Sequence, residues 1–298
     1  MDKKYLCGLG IDEISDLVKT AGFTRSQAVI AAGTLYRNGE AGLYKTAMIP
    51  AAMKKYLLES ASPGIYSPVK SEKSADGTVK HLFVSPEGKS YESVYITEAK
   101  RRTVCVSSQS GCRMGCLFCV TGRYGFHGNL TAGDIVNQVI SNPFSDKVTH
   151  VVFMGMGEPM DNFANVLKAA GILKAEWGLA ISSRNITIST VGITSEVKRF
   201  LEESEYNLVL SLYSPFPRER INVVPAERAY PAREIINIMA SAPPRKKRRL
   251  SIAYVMIKGV NDSEEHLGEL KSILAGTGIR VNLLPYHITG GDSWIPPG

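Results

Sequence analysis

The sequence lacks the marks of several protein classes. No run approaches the ~18 unbroken apolar residues that a membrane span needs, and the N-terminal MDKKYLCGLGIDE has no signal-peptide h-region. The expected location is therefore the cytoplasm, with no membrane contact. There is no low-complexity tract and no internal repeat at a short period. Cysteine is scarce: five residues in 298, with Cys105, Cys112, Cys116 and Cys119 inside one stretch of 15. A secreted disulfide scaffold is short and Cys-dense, so this usage reads as a metal or redox site instead. Acidic residues number 28 against 35 basic ones, leaving a net charge of +7. That excess suits a polyanionic partner, and equally plain solubility. With 44% hydrophobic and 21% charged residues the chain has an ordinary globular composition. Its length suits two domains, or one large α/β domain with an appendage.

Residues 1–62 read as a small helical unit. Apolar residues at three- and four-residue spacing predict helices over Ile11 to Thr20, Arg25 to Arg37 and Ile49 to Glu59, separated at Gly22 and at Gly39 to Leu43. Residues 63–102 form a β-hairpin extension, in which HLFVS (81–85) and YESVYIT (91–97) alternate around Pro86-Glu87-Gly88. From residue 103 to 298 the pattern becomes strand, helix, strand. Apolar runs begin at residues 103, 148, 185, 207, 250 and 279, and helix-period segments at Thr131, Phe163, Thr194, Ala232 and Ser263 lie between them. Near-continuous apolar strands alternating with helices imply an α/β fold with a parallel sheet. Six such units make an open or partial (β/α) barrel that binds ligands at the strands' carboxyl ends. The one charge run, RKKRR (245–249), follows the Pro243-Pro244 break and reads as a solvated loop.

The chemistry concentrates in Cys112-Arg-Met-Gly-Cys116-Leu-Phe-Cys119, directly after the first strand of the α/β region. Three thiolates on one short loop hold three corners of a cubane and leave its fourth iron for another ligand, whereas iron–sulfur clusters normally take four Cys. Gly111 and Gly115 let the backbone turn tightly around such a cluster, and Phe118 shields it from water. The alternative is a zinc site, which needs a fourth ligand, and His127 is near in sequence. Downstream, Gly157-Glu158 in GMGEP ends the second strand, Ser189 the third and Ser211 the fourth. Each also has a plain structural alternative as a turn residue or helix cap.

Cys-x3-Cys-x2-Cys with an aromatic residue before the last Cys resembles the signature of the radical S-adenosylmethionine enzymes. The longer segments CVSSQSGCRMGCLFCVTGRYGFHGNLTAGDIVNQV (105–139), FMGMGEPMDNFANV (153–166), ITISTVGI (186–193), SLYSPFPRERINVVP (211–225) and YVMIKGVNDSEEH (254–266) are similar, in the same order, to the adenine carbon-2 RNA methyltransferases. The similarity runs from about residue 10 to about residue 290. The resemblance implies a six-stranded partial barrel, a [4Fe-4S] cluster on Cys112, Cys116 and Cys119, and S-adenosylmethionine on its unique iron. It also implies methylation of large-subunit ribosomal RNA and, in some members, of transfer RNA. Related antibiotic-resistance enzymes methylate carbon 8. A flavodoxin- or ferredoxin-type electron donor and a monomeric state belong to the same expectation.

By the same resemblance Gly157, Glu158, Ser189 and Ser211 contact S-adenosylmethionine, with Glu158 an acceptor for its amino group. His287 aligns with a ligand-binding Asn of the family, while Asn282 lies in the sixth strand, and Tyr213 stands where the family usually has His. Carbon 2 of adenine is electron-poor, which is why a radical route is needed. In the family a methylated Cys near the C-terminus carries the new carbon, a second Cys resolves the protein–RNA crosslink, and a Glu removes the carbon-2 proton. Cys105 matches the resolving position and Glu92 the base; their plain alternatives are a core thiol and a solvent-facing carboxylate. No Cys follows Cys119 in this sequence, and Cys7 is the only other thiol. Two enzyme readings therefore stand side by side, this methylation and another radical reaction on the same scaffold. A non-enzymatic iron–sulfur RNA-binding or redox protein is the third. Candidate phosphate contacts are Arg25, Arg37, Lys45, Lys54 and Lys55 on the helical unit, and Arg101, Arg102, Arg113 and Arg123 around the Cys loop.

Overall fold

The computed structural model describes residues 4–245, 248–288 and 294–297. Strand β1 (Lys4–Tyr5) leads into α1 (Ile11–Lys19), α2 (Arg25–Lys45) and α3 (Ala51–Ser60), and β2 (Ala61–Ser62) pairs parallel with β1. The helices follow from one apolar stripe each: Ile14 and Val18 on α1, Ala28, Ala31, Ala32 and Leu35 on α2, Met53 and Leu57 on α3 are all buried. The expected break between Gly39 and Leu43 is corrected here. Gly39 takes a φ of +67 as a kink, and the helical path resumes to Lys45. Glycine meets that backbone geometry without a Cβ penalty, so it bends the helix without ending it.

Next come β3 (Lys70–Lys73), β4 (Val79–Val84), β5 (Ser90–Glu98) and β6 (Arg101–Cys105), an antiparallel meander. On β4 Val79, His81 and Phe83 are buried while Lys80 and Val84 face out, the period-two pattern of a sheet with one wet side. A small hairpin of β7 (Gln109–Gly111) and β8 (Phe126–Asn129) flanks the Cys loop, which contains the single turn α4 (Val120–Arg123). There follow α5 (Ala132–Ile140), β9 (His150–Phe153), α6 (Phe163–Lys174), β10 (Ile186–Thr190), α7 (Thr194–Glu203), β11 (Asn207–Ser211), α8 (Pro217–Val223), α9 (Ala232–Ser241), β12 (Leu250–Met256), α10 (Glu264–Leu274) and β13 (Arg280–Pro285).

Strands β6, β9, β10, β11, β12 and β13 are parallel and stand side by side in that order. These are the six units expected from the apolar runs. The meander joins the same sheet through β5 and β6, making nine strands. One continuous core runs from Leu6 and Leu35 of the helical unit to Ile252 of β12. The helical unit is docked on the barrel by Tyr36, whose ring tilts against Trp177 at 5.8 Å, and by Arg37, which donates to the carbonyls of Gly178 and Glu176. Among the described residues no helix is long and apolar enough to cross a membrane.

Candidate functional site

A cleft of about 240 Å³ opens at the carboxyl ends of the parallel strands. Cys112, Cys116, Phe118 and Cys119 line one side; Gly157, Glu158, Ser189, Ser211 and Tyr213 line the other. The Cys loop is pinned by backbone bonds at several points. Cys112 N–H donates to Gly125 at 2.8 Å, Leu117 N–H to Val223 at 2.9 Å, and Cys119 N–H to Cys116 at 3.1 Å. Gly111 and Gly115 both take positive φ, +76 and +64. Burial above all, then the neighbouring Cys119 and Cys112, push the Cys116 thiol up to about 12, against a downward pull from Arg220. Burial likewise raises Cys112 to about 11. Binding of a metal by these thiols must displace their protons.

Among the described residues no three His, Cys, Asp or Glu side chains are gathered tightly around one point as a single metal ion requires. Zinc would draw all its thiolates to ~2.3 Å of one atom. His127, the fourth ligand in that alternative, is exposed, its Nε2 2.9 Å from the Tyr124 carbonyl oxygen and away from the cleft. Three soft donors that line one side of a cleft without converging on one point fit a polynuclear cluster, in which each thiolate takes a different iron.

The opposite wall is built on Gln109. Its Oε1 accepts from Glu158 N–H at 2.9 Å, and its Nε2 donates to Asn129 and to Asp161 at 2.8 and 2.7 Å. Gly157, at φ +98, passes so close that a Cβ there would lie 2.5 Å from Gln109 Cβ. Glu158 is 3% exposed and caps the short 3₁₀ turn Pro159–Asn162. Its two oxygens accept from Met160 N–H at 3.0 Å and Val191 N–H at 2.9 Å. Burial outweighs these bonds and raises its carboxyl to about 7. The carboxylate thus ties the end of β9 to the end of β10, whatever else it contacts. Ser189 and Ser211 stand on adjacent strands with their hydroxyls 3.2 Å apart.

Tyr213 follows β11 at φ +69, a conformation rare for a bulky residue. Its ring stacks on Phe118 at 6.0 Å and 2°, and Trp294 tilts against it at 6.3 Å and 33°. His287 is exposed and is not on the cleft wall; nor is Asn282. The sixth strand contributes Leu284 instead. Glu92 and Cys105 line a second cavity of about 330 Å³, whose wall shares Phe118, Cys119, Met154 and Gly155 with the first. Glu92 pairs with Lys80 at 3.2 Å, and burial pushes Cys105 up to about 11. Cys7 is buried against α5, its Sγ 3.5 Å from the Gly133 carbonyl, and lines neither of these two cavities.

Several cations offered as phosphate contacts are engaged within the protein. Arg25 pairs with Asp12 at 2.5 Å, Lys55 with Glu59 at 4.0 Å, and Arg113 with Asp161 at 2.8 Å while covering the Phe126 ring. In the RKKRR run Lys246 and Lys247 lie outside the described residues. Arg245, Arg248 and Arg249 donate to backbone carbonyls, including those of Glu202, Leu201 and Arg184. One group escaped the sequence reading altogether. Arg220 of α8 is fully buried, paired with Glu227, and bonded to the carbonyls of Val191, Ser211 and Leu212 on the back of the cleft wall. Its only signal was an Arg seven residues before a Glu in RERINVVPAE, which the eye takes for surface.

An incomplete parallel barrel with a three-thiol loop over its carboxyl end is the architecture of the radical SAM superfamily, whose model matches residues 106–270. A radical SAM methyltransferase from Sphaerobacter thermophilus superposes with a TM-score of 0.90 at 33% identity, covering 99% of this chain and 89% of that one. A probable dual-specificity RNA methyltransferase RlmN from Parabacteroides distasonis is 42% identical over 287 residues, 96% of this chain and 84% of the relative. The dual-specificity RNA methyltransferase RlmN of Geobacter sulfurreducens is 36% identical over 290 residues, 97% of this chain and 81% of the relative. The chain belongs to this RlmN family of radical SAM enzymes.

Proposed function

We propose that the chain methylates carbon 2 of an adenine in large-subunit ribosomal RNA, and in transfer RNA as well, using a [4Fe-4S] cluster and S-adenosylmethionine. The observation that carries this reading is the pair of adjoining cavities. One holds the three thiols facing Gly157, Ser189 and Ser211; the other holds Glu92 and Cys105, and Phe118 and Cys119 belong to both walls. A cluster held by Cys112, Cys116 and Cys119 would supply the single electron needed for reductive cleavage of S-adenosylmethionine.

The chain's own residues divide the remaining work. Cys112, Cys116 and Cys119 hold the cluster. Gly157 brings bare backbone to the methionine end of the ligand, and Ser189 and Ser211 offer hydroxyls to its carboxylate or ribose. Phe118 and Tyr213 close the cleft against water with a stacked pair of rings. In the second cavity Glu92, paired with Lys80 at 3.2 Å, receives the proton of carbon 2. Cys105 is the resolving thiol and must lose its proton to act, since burial keeps it protonated at neutral pH. Residues 120–298 contain no cysteine, so the methyl-carrying thiol is assigned to no residue here. The helical unit of residues 1–62 contributes RNA contacts, a flavodoxin- or ferredoxin-type protein delivers the electron, and the chain works as a cytoplasmic monomer.

The test has two arms. Anaerobically reconstituted protein with a reductant and S-adenosylmethionine is expected to release 5′-deoxyadenosine. Mass spectrometry of ribosomal and transfer RNA is expected to find 2-methyladenosine in cells with the gene and to find it missing in cells without. Unchanged methyladenosine overturns the methylation. Release of 5′-deoxyadenosine alongside unchanged methyladenosine points to another radical reaction on this scaffold.

A further inference from the structure

The Arg220–Glu227 pair has no part in the chemistry above, yet Arg220 is among the largest fully buried side chains of the described residues. Both side chains are inaccessible, 1% and 4% exposed. A buried ion pair is often no more stable than apolar residues of the same volume, so stability alone does not account for it. Its position is distinctive. The guanidinium donates Nε–H to Leu212 O at 2.9 Å and its second terminal nitrogen to Val191 O at 2.9 Å and Ser211 O at 3.1 Å. All three residues line the cleft that holds the cysteines. Val223 and Val224, the continuation of Arg220's own helix, pack with Cys116, and Val223 O receives Leu117 N–H from the Cys loop.

Glu227 accepts from the remaining terminal nitrogen of the guanidinium, and from Ala232 N–H at 2.9 Å at the start of α9. The pair is therefore a fixed dipole whose positive end is the one bonded to the cleft wall.

We propose that Arg220 is a positioning residue that sets the reduction potential of the cluster, its buried positive charge stabilising the extra electron of the reduced state. The proposal rests on the three-thiol reading of the loop. A fixed cation in a poorly screened interior favours the more negative oxidation state, and protein charge and burial are established levers on cluster potential. Removing the whole dipole should make the cluster harder to reduce. Removing only its negative end should make it easier.

The experiment is an anaerobic redox titration of the reconstituted full chain without S-adenosylmethionine, followed by electron paramagnetic resonance of the reduced cluster. Wild type is compared with Glu227→Gln and with the double variant Arg220→Met/Glu227→Met, and iron content and thermal midpoint are recorded for each. At the ambient potential that half-reduces the wild-type cluster, the double variant is expected to be several-fold less reduced and Glu227→Gln several-fold more reduced. A tenfold change corresponds to ~59 mV for one electron. Shifts of opposite sign exceed what a merely structural role predicts, which is lower stability at constant potential. Coincident potentials, shifts of one sign, or folded variants that all lose their iron overturn the proposal. If wild type itself takes up no cluster, the three-thiol reading falls and this one with it.

Discussion

Replacing Gly157 by Ala separates two costs that can be read from the backbone. At φ +98 an alanine sits in a region that costs about 1–3 kcal/mol. Its methyl group would also stand 2.5 Å from Gln109 Cβ and 2.7 Å from Gln109 N. The Gln109 backbone cannot retreat freely, because its N–H and that of Ser108 both bond Met156 O, at 3.2 and 2.8 Å. Forced repacking of this kind costs about 1–3 kcal/mol, for a total of about 2–6 kcal/mol. Gly77→Ala is the control, since Gly77 has φ +87 with nothing within 4 Å of its virtual Cβ, leaving only the conformational part. Urea unfolding of the apo chain under anaerobic conditions gives both values. Gly157→Ala should be the costlier by at least ~1 kcal/mol, and should weaken S-adenosylmethionine binding because Gln109 also positions Glu158. Equal losses for the two variants would refute the argument that close approach to Gln109 is why this position is glycine.

Three further outcomes are expected. Glu158 titrates near 7 in the fold against 4.5 when free, so the folded chain holds a proton that the unfolded chain has lost between those values. Apo stability should therefore fall as pH rises through that window, by about 3 kcal/mol in all at ~1.36 kcal/mol per unit; Glu158→Gln should flatten this part of the stability–pH curve, and an unchanged slope contradicts it. Cys116→Ala should abolish the brown absorbance and iron of anaerobically purified protein, and a fully loaded variant would show that the ligands are wrong. Tyr36→Phe removes the hydroxyl that accepts Gly8 N–H at 3.1 Å and donates to Leu9 O at 2.8 Å. Leaving that N–H buried and unpaired should cost about 1–3 kcal/mol in urea unfolding, and a neutral effect would mean that water reaches it.

The six parallel strands were legible because burial on both faces writes itself as unbroken apolar runs, such as NLVLS of β11. The cysteine loop was legible because thiol spacing is local. What escaped has no local signature. Strand β3 reads KSEK and is exposed throughout, so it carries no alternation to detect; only its pairing with β4 makes it a strand. The kinked second half of α2 looked like a linker because Gly39 is usually a stop. Arg220 and Glu227 look like surface residues until α8 and the turn after it fold them inward. His287, aligned through the resemblance, lies just past β13 and is exposed, whereas Leu284 of that strand lines the cleft. Where a side chain lands at a strand's mouth depends on twist and on the loop beyond, and neither is written in composition.

The outermost strand of the meander has a bearing on how the protein keeps to itself. A nine-stranded sheet that ended in an apolar ribbon would present a row of free amides to any passing extended chain. Here that row belongs to Lys70, Ser71, Glu72 and Lys73, with Lys70 and Glu72 already bonded to one another at 2.6 Å. An incoming strand would have to dehydrate and break up these charges before gaining a single main-chain bond. During synthesis, when the slow parallel strands are still unpaired, that polar border guards one flank of the growing sheet against sticking to its neighbours.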